Sequence, residues 1–409
     1  MAKWLLLLVP MLLLDYYGFQ VSKTLTNGRS WATTLYWGFH VMVYLSIMAF
    51  PLFHARQEIP VRYVYLFFSL ILMLYIPKIA AGVILGIEDF FRGILQFTMI
   101  KKDGLAVPAD TARIPRSKFI SQLALGIAAL PFTGMAYAIV KGKYNFHVRK
   151  VSLTLENLPK AFEGLTITQV SDFHIGSFNS HDAVQKGIDL VNQQKSDLIF
   201  FTGDLVNKVA AEVRGFEPIL SQLKARLGVY SVLGNHDYGD YASEIQTDAD
   251  WEAHFQDMLA THESLGWRLL RNEHEIIREG ADSLAVIGVE NWGRFNSHTN
   301  YGNLKQACEG TAYAPVKLLL SHDPSHWEEE VLSGSDVDVT FSGHTHGCQF
   351  GIEIPGIKWS PVQYVYRQWA GLYQEGNRYL YVNRGFGFAG FSGRLGIPPE
   401  ITVFELKRG

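Results

Sequence analysis

Two histidines one residue apart, His344 and His346, lie in the stretch SGHTHG, directly after an apolar run. Imidazole nitrogen is a common metal ligand. A His-x-His pair alone is also typical of a polar turn, so it indicates a metal site only if the chain supplies partners. The sequence supplies them, because other apolar runs end in side chains of the same kind.

Four further apolar segments end in side chains that can bind a metal. The stretches SDFH, GD, GNHD and SH carry these candidates: Asp172, His174, Asp204, Asn235, His236, Asp237 and His322. In open α/β sheets, the ligand site lies beyond the carboxyl ends of the strands. We therefore expect residues that are far apart in the chain to converge on one cleft.

The collected side chains offer carboxylate oxygen, amide oxygen and imidazole nitrogen, without a thiolate. This set suits manganese, iron, zinc or nickel better than Cu(I) or an iron–sulfur cluster. It contains more ligands than one tetrahedral ion with an open position requires. Two ions about 3.5–4 Å apart, bridged by one carboxylate, would use the whole set, and such pairs activate water for attack at phosphorus.

The order and spacing of these motifs resemble the calcineurin-like metallophosphoesterases over residues 165–406. The resemblance implies a fold of two mixed β-sheets flanked by helices. It also implies seven metal ligands in two sets with a bridge: Asp172, His174 and His346 for the first ion, Asn235, His322 and His344 for the second, and Asp204 between them. Manganese is our favoured metal, with iron and zinc as alternatives.

The same resemblance implies the chemistry of the remaining candidates. A hydroxide bridging the two ions would attack phosphorus. His236 would contact the phosphate or protonate the leaving oxygen, and Asp237 would set its tautomer and orientation. Arginines in three glycine-containing loops are further candidates for binding substrate phosphate: Arg294, Arg384 and Arg394.

Short strands and helices alternate after residue 146 and must position these side chains. Strands that end at the motifs are predicted at 165–171, 197–202, 228–233, 316–321 and 337–341. Other strands are predicted at 275–278, 283–289, 379–383 and 401–406. Helices are predicted at 180–193, 216–227 and 251–265, with Ser180 as the N-cap of the first. The pattern is typical of an α/β domain with some antiparallel pairing.

Charge and composition divide the chain. Up to Lys143 there are 14 Lys+Arg against 6 Asp+Glu, whereas the remainder has 22 against 33. A basic, apolar section followed by an acidic one indicates a transmembrane section at 1–143 and a phosphoesterase domain at 144–409. The acidic balance disfavours nucleic acid as a partner. The two cysteines, Cys308 and Cys348, cannot form a disulfide framework.

Four apolar stretches are expected to form membrane-spanning helices, at 4–19, 31–53, 63–87 and 119–140. A helix needs about 20 apolar residues to cross a bilayer. Pro77 and Lys78 interrupt the third stretch, and we expect the Lys78 side chain to reach the headgroups. Anchoring is the expected role of these helices, and presentation of a lipid substrate is the alternative.

The side of the membrane follows from the loop charges. With four spans, seven basic residues lie on the side of the domain and nine on the other side. The positive-inside rule then favours an extracytoplasmic domain on a multi-pass protein of a bacterial inner membrane. Loss of one span would reverse this assignment.

Three further features bear on the site. Cys348 stands where relatives often have Gly. Asp204 lacks the nearby tyrosine of purple acid phosphatases, which disfavours a tyrosinate–ferric site. The aromatic segment 359–372 is expected to be either core packing or an amphipathic lip near the membrane.

The leading hypothesis is a membrane-anchored phosphoesterase that uses two metal ions to hydrolyse a phosphodiester or pyrophosphate bond in a lipid-linked substrate. Alternatives are a UDP-2,3-diacylglucosamine pyrophosphatase of lipid A synthesis, and a tethered general phosphodiesterase or protein phosphatase. A non-catalytic scaffold is expected to lack metal ligands, and none is missing here. The sequence indicates no obligate protein partner.

Overall fold

The computed structural model describes residues 2–54, 59–103, 118–295 and 300–409. The chain divides into two compact units. One comprises residues 1–59 and 67–137, and the other comprises residues 60–66 and 138–409. The first unit contains the long apolar helices, and the second contains the strands.

The described residues of the N-terminal part form four long helices: α1 (Ala2–Leu25), α2 (Ser30–His54), α3 (Val61–Asp103) and α4 (Lys118–Val140). Stretches long and apolar enough to cross a membrane lie at Ser30–Phe50, Val61–Thr98 and Lys118–Tyr144. The expected span at 4–19 is helical but is not among them, and its apolar run contains Asp15. Helix α3 continues through Pro77, and its 43 residues extend about 65 Å, roughly twice the hydrocarbon thickness of a bilayer.

A buried ionic contact joins α1 to α3 inside the first unit. Asp15 is fully buried, and its carboxylate accepts hydrogen bonds from Lys78 Nζ at 2.5 Å, from Tyr75 at 2.9 Å and from Tyr44. Lys78 Nζ also lies 2.7 Å from His40 Nε2 on α2. The Lys78 side chain therefore points at other helices of the unit, and our expectation that it reaches the headgroups was wrong.

The strands of the second unit, in chain order, are β1 (His147–Leu155), β2 (Thr166–Val170), β3 (Leu198–Thr202), β4 (Val229–Val232), β5 (Arg268–Leu269), β6 (Glu273–Glu279), β7 (Asp282–Gly288), β8 (Lys317–Leu320), β9 (Val339–Ser342), β10 (Ile352–Ile354), β11 (Ile357–Trp359), β12 (Gly371–Glu375), β13 (Arg378–Val382) and β14 (Glu400–Arg408). The predicted strands before the motifs are all present. Strands β1, β5, β10, β11 and β12 were not predicted.

Two six-stranded sheets form, with strand orders β1-β14-β2-β3-β4-β5 and β12-β13-β9-β8-β7-β6. Strands β2 to β5 run parallel in the first sheet, and β7, β8, β9 and β13 run parallel in the second. Antiparallel partners make both sheets mixed. Strands β10 and β11 form a separate hairpin. The expected pair of mixed sheets is confirmed.

The shorter helices are α5 (His181–Gln193), α6 (Glu217–Leu220), α7 (Asp248–Ser264), α8 (Leu304–Cys308) and α9 (Leu332–Gly334). Ser180 caps α5, since its Oγ accepts the N–H of Ala183 at 3.2 Å. The helix predicted at 216–227 is reduced to α6. Three apolar residues of the predicted range, Phe216, Leu220 and Leu223, are nevertheless buried in the core. The turns around α6 place these side chains on the same side, as a longer helix would.

The space between the sheets is filled by aromatic and branched side chains. Phe341 of β9 lies between Phe200 of β3 and Phe404 of β14, with ring centroids 5.1 and 5.0 Å apart. Every residue of β3, β8 and β9 is buried, which is why these runs lack polar alternation. The rigid core holds the carboxyl ends of the parallel strands in place.

Candidate active site

The seven predicted metal ligands lie together where the carboxyl ends of the two sheets meet. Strands β2, β3 and β4 of the first sheet lead into Asp172, Asp204 and Asn235, and β8 and β9 of the second lead into His322, His344 and His346. Two sets of three have ligand atoms within 4.8 Å of one another: Asp172, His174 and His346, and Asp204, His322 and His344. Each sheet thus contributes part of the cluster.

Asp204 lies between the two sets. Its Oδ2 is 3.4 Å from His174 Nε2 and 3.2 Å from His322 Nε2. Its Oδ1 accepts the backbone N–H of His236 at 2.9 Å. One carboxylate oxygen therefore faces both sets while the other is held by the backbone, which is the arrangement that a bridging ligand needs.

Hydrogen bonds to carbonyl groups fix the tautomers of two histidines. His174 Nδ1 lies 3.1 Å from Val206 O, and His322 Nδ1 lies 2.7 Å from Thr202 O. A carbonyl oxygen only accepts, so Nδ1 carries a proton in both rings, and Nε2 is the nitrogen left for a metal whenever the ring is neutral. Second contacts of this kind orient metal-binding histidines and raise their basicity. Both Nε2 atoms face Asp204.

Both ring nitrogens of His344 have a partner. Its Nδ1 lies 3.2 Å from His322 Nε2, and its Nε2 lies 2.8 Å from the hydroxyl of Tyr366. That hydroxyl also donates to Asp323 Oδ2 at 3.2 Å. Tyr366 and Asp323 were missed as site residues, although Tyr366 belongs to the aromatic segment that the sequence singled out.

Asn235 carries a buried acceptor atom, its Oδ1, that has no hydrogen-bond partner within the described part of the chain. Its Nδ2 donates to the hydroxyl of Tyr241 at 3.0 Å. Buried polar atoms are almost always paired, so an unpaired carbonyl oxygen at a predicted ligand position is consistent with a cation site. The donor set and this oxygen both fit divalent metal ions.

Five of the seven predicted ligands have a left-handed backbone: Asp172 (φ 54°), His174 (45°), Asp204 (61°), His344 (71°) and His346 (51°). This conformation costs a residue with a side chain about 1–2 kcal/mol. Such strain clusters at functional sites, where the surrounding structure must enforce it. Gly343 permits the packing, since a Cβ there would lie 2.4 Å from Asp172 Oδ2.

In the metal-free cluster, protons on ligand side chains compensate the negative charge of the buried carboxylates. Burial lowers the pKa of His322, but Asp204 and Asp172 outweigh it and raise that pKa to about 10. Burial opposes ionisation of Asp204, yet His322 and His236 bring its pKa well below the usual value. Burial raises the pKa of Asp172 to about 7, although His322 opposes the shift. Protonated His322 thus supplies positive charge that a bound cation would otherwise supply to Asp204 and Asp172.

The orientation of His236 corrects one prediction. We expected Asp237 to orient this ring, but His236 Nδ1 lies 2.7 Å from Asn207 O. The ring stacks on Tyr241 with centroids 4.2 Å apart. The buried Asp237 carboxylate instead accepts backbone N–H groups around Asp204. A backbone carbonyl has no signature in the sequence, so Asn207 could not have been found there.

Two of the three candidate arginines are paired with carboxylates. Arg384 is 2% exposed and contacts Glu400 at 2.5 Å and Glu353 at 2.6 Å. The side chain of Arg294 pairs with Glu329 near the surface. Neither contact is with a predicted metal ligand.

Arg394 lies beside the cluster. It is buried, donates to Gly387 O at 2.6 Å, and its Nη2 lies 3.2 Å from His346 Nδ1. A guanidinium only donates, so Nδ1 accepts in this contact and Nε2 of His346 carries the proton. If His346 were to bind a metal through Nε2, its proton would have to lie on Nδ1, and Nη2 of Arg394 would have to turn away from Nδ1 and keep Gly387 O as its acceptor.

Two family models match the chain. The one described as "Calcineurin-like phosphoesterase" matches residues 165–348, which contain every predicted metal ligand. The one described as "Probable Calcineurin-like phosphoesterase, transmembrane domain" matches residues 2–143. The chain therefore carries both a phosphoesterase domain and the membrane domain that accompanies it in related proteins.

Individual relatives are also named as metallophosphoesterases or phosphodiesterases. The metallophosphoesterase YkuE of Bacillus subtilis (strain 168) is 27% identical over 72% of this chain and 98% of its own length. The phosphodiesterase YaeI of Escherichia coli (strain K12) is 26% identical over 72% and 99%. The "Transmembrane protein with metallophosphoesterase domain" of Bos taurus is 30% identical over 64% of this chain, which spans 57% of that relative. The chain belongs to the calcineurin-like metallophosphoesterases, hydrolases of phosphoric esters, in the group that joins the catalytic domain to a transmembrane domain.

Proposed function

We propose that this protein uses two divalent metal ions to hydrolyse a phosphodiester or pyrophosphate bond in a lipid-linked substrate. The observation that carries the proposal is the position of Asp204 Oδ2 between His174 Nε2 and His322 Nε2. A metal pair at such a site supplies activated water and stabilises negative charge on the oxygens around phosphorus. The membrane domain supports a substrate that resides in the bilayer.

The ligand sets follow the two clusters of side chains. Asp172, His174 and His346 would hold one ion. Asn235, His322 and His344 would hold the other, and Asp204 would contact both. Manganese is the favoured metal because carboxylate, amide and imidazole donors without a thiolate suit it, with iron and zinc as alternatives.

His236 is proposed as the residue that contacts the substrate. Because Nδ1 donates to Asn207 O, Nε2 of His236 can donate to the phosphate or to the leaving oxygen when the ring carries a second proton, as an imidazolium. Of the three arginines, Arg394 is the one that lies beside a predicted ligand, which supports it over Arg294 and Arg384 as a contact for the phosphate. A His236→Ala variant should keep its metal and lose roughly 10²–10⁴-fold in kcat. Normal metal content with a normal rate would remove His236 from the mechanism.

The substrate class can be tested with detergent-purified full-length protein loaded with Mn²⁺. The panel contains UDP-2,3-diacylglucosamine, a membrane phospholipid, an aryl phosphodiester and a phosphopeptide. We expect the highest kcat/KM with a lipid-linked substrate and no turnover by Asp204→Asn. Preference for the aryl diester or the phosphopeptide would instead support a tethered general phosphodiesterase or phosphatase. Two bound metals without hydrolysis of any ester would support a scaffold.

Counting α1 as a fourth span, with its buried Asp15 paired to Lys78, we also propose that the protein is a multi-pass protein of a bacterial inner membrane with its hydrolase domain on the extracytoplasmic side. Cys348 is exposed and Cys308 is half-buried, so an impermeant thiol reagent should label Cys348 first. Labelling of intact spheroplasts, absent in Cys348→Ser, would support this side. Labelling only after lysis would place the domain in the cytoplasm.

A further inference from the structure

The hairpin β10–β11 separates apolar and charged side chains onto opposite faces. Its pairs are Ile352 with Trp359, Glu353 with Lys358, and Ile354 with Ile357. Successive side chains of a strand point to opposite sides. One face is therefore entirely apolar, and the other carries the two charged residues.

The charged face is turned toward the domain. Glu353 contacts Arg384 at 2.6 Å and Arg149 at 2.7 Å. Lys358 donates to Ala370 O and lies 4.8 Å from the ring centroid of Trp369. These contacts leave the apolar face outward, whereas a sheet usually buries its apolar face. Glu353 is half-buried, and Lys358 stays exposed although it contacts the domain.

The exposed apolar surface continues beyond the hairpin. Ile352, Ile354 and Ile357 are 48%, 56% and 53% exposed. After the hairpin the chain enters a short 3₁₀ turn, Pro361–Tyr364, where the ring of Tyr364 is 77% exposed. We call this surface the apolar lip: the exposed Ile352, Ile354, Ile357, Tyr364 and Val365, with the half-buried Trp359 opposite Ile352.

The apolar lip lies on the same chain segment as Tyr366, which contacts one of the predicted metal ligands. Tyr366, two residues after Tyr364, contacts His344 Nε2 at 2.8 Å. The lip is therefore continuous in the chain with a residue that contacts a predicted metal ligand.

We propose that the apolar lip inserts into the interfacial layer of a lipid bilayer and docks the hydrolase domain on the membrane surface. Lys141–Phe146, six residues, join α4 to β1, so the domain stays tethered to the membrane that holds the helices. Aliphatic side chains next to Trp, Tyr and Lys are typical of segments at membrane–water interfaces. The docking proposal does not depend on which phosphoester is hydrolysed.

The test uses the full-length protein in nanodiscs, one copy per disc. In a Cys308→Ser/Cys348→Ser background, Ile354→Cys is labelled with an environment-sensitive fluorophore, and the discs contain phospholipid with a nitroxide near the headgroup. Ile357→Cys, paired with Ile354 on the same face, is a second position. Asn377→Cys, in the exposed turn between β12 and β13, is the control.

Docking predicts that nitroxide lipid quenches the labels at positions 354 and 357 by about twofold or more and leaves the label at 377 unchanged. Equal quenching at all three positions, or at none, would overturn the proposal. A blue shift at 354 and 357 without lipid quenching would also overturn it, because a protein surface would then cover the lip.

Discussion

Asp237 holds the backbone of Asp204, the residue between the two ligand sets. Asp237 Oδ2 accepts the N–H of Asp204 and of Gly234 at 2.9 Å each, and Oδ1 accepts those of Leu205 and Val206 at 2.8 and 3.2 Å. The left-handed backbone at Asp204 costs about 1–2 kcal/mol. Four hydrogen bonds from one buried carboxylate offset this cost and fix where the Asp204 side chain points.

Replacing Asp237 with Asn should therefore remove metal as well as activity. Asn has one acceptor oxygen, and its NH₂ group would face N–H donors. We expect metal content, measured by elemental analysis, and turnover to fall together by more than about tenfold, in line with losses of supporting contacts at other metal sites. Asp257→Asn on the exposed face of α7 is the control. Full metal content with a reduced rate would restore the original role of Asp237 in orienting His236.

The hydroxyl of Tyr366 should tune the second metal site through His344. Tyr366→Phe removes the hydroxyl that lies 2.8 Å from His344 Nε2, keeps the aromatic ring, and leaves the Asp323 carboxylate at 3.5 Å. Loss of such a contact typically lowers metal affinity about 10–100-fold. Tyr364→Phe, two residues away and exposed, should leave the affinity unchanged in the same Mn²⁺ titration. Equal affinities for both variants would rule out this positioning role.

Metal binding should release protons. A ligand imidazole must be neutral, and the pKa of His322 is raised to about 10 in the metal-free cluster, so at pH 7 an ion entering that set displaces one proton. Affinity should therefore rise about tenfold per pH unit. Below about pH 7 the slope should steepen, because burial raises the pKa of Asp172 to about 7. Calorimetric Mn²⁺ titrations between about pH 6 and pH 8 measure this, and a flat profile would contradict it.

The contact between Asp15 and Lys78 should make the N-terminal unit a specific helical bundle. Asp15→Asn leaves a buried lysine uncompensated, and Lys78→Met does the same to the carboxylate. Breaking a buried pair from one side costs about 3–5 kcal/mol, whereas replacing both partners costs much less. We expect each single variant to lower the unfolding temperature in detergent and the double variant to recover most of the loss. Additive losses would show that the two charges are independent.

Cys348 carries a left-handed backbone, with φ at 57°. Cys348→Gly should therefore be more stable than Cys348→Ala, which keeps the conformational cost of about 1–2 kcal/mol without the thiol. The greater chain entropy of glycine offsets about half of this gain. Thermal unfolding of the two variants compares them directly, and a more stable Ala variant would contradict the strain at this position.

Residue type and strand position were enough to predict which side chains meet at the candidate site. Asp172, Asp204, Asn235, His322 and His344 each follow a short apolar run, and the carboxyl ends of parallel strands share one edge of a sheet. That inference is local, because it needs only a buried strand followed by a polar residue. The structure places Asp172, Asp204, His322 and His344 in clusters of side chains that could hold metal ions.

Only tertiary packing determines which residues contact each other when they are distant in the chain. Periodicity reports whether a residue is buried, but not which atom lies against it. The carbonyl of Asn207 displaced Asp237 as the partner of His236, and Asp15 found Lys78 across 63 residues. The orientation of the β10–β11 hairpin is also determined by tertiary packing. Ion pairs of Glu353 with Arg149 and Arg384 turn its charged face toward the domain and its apolar face outward.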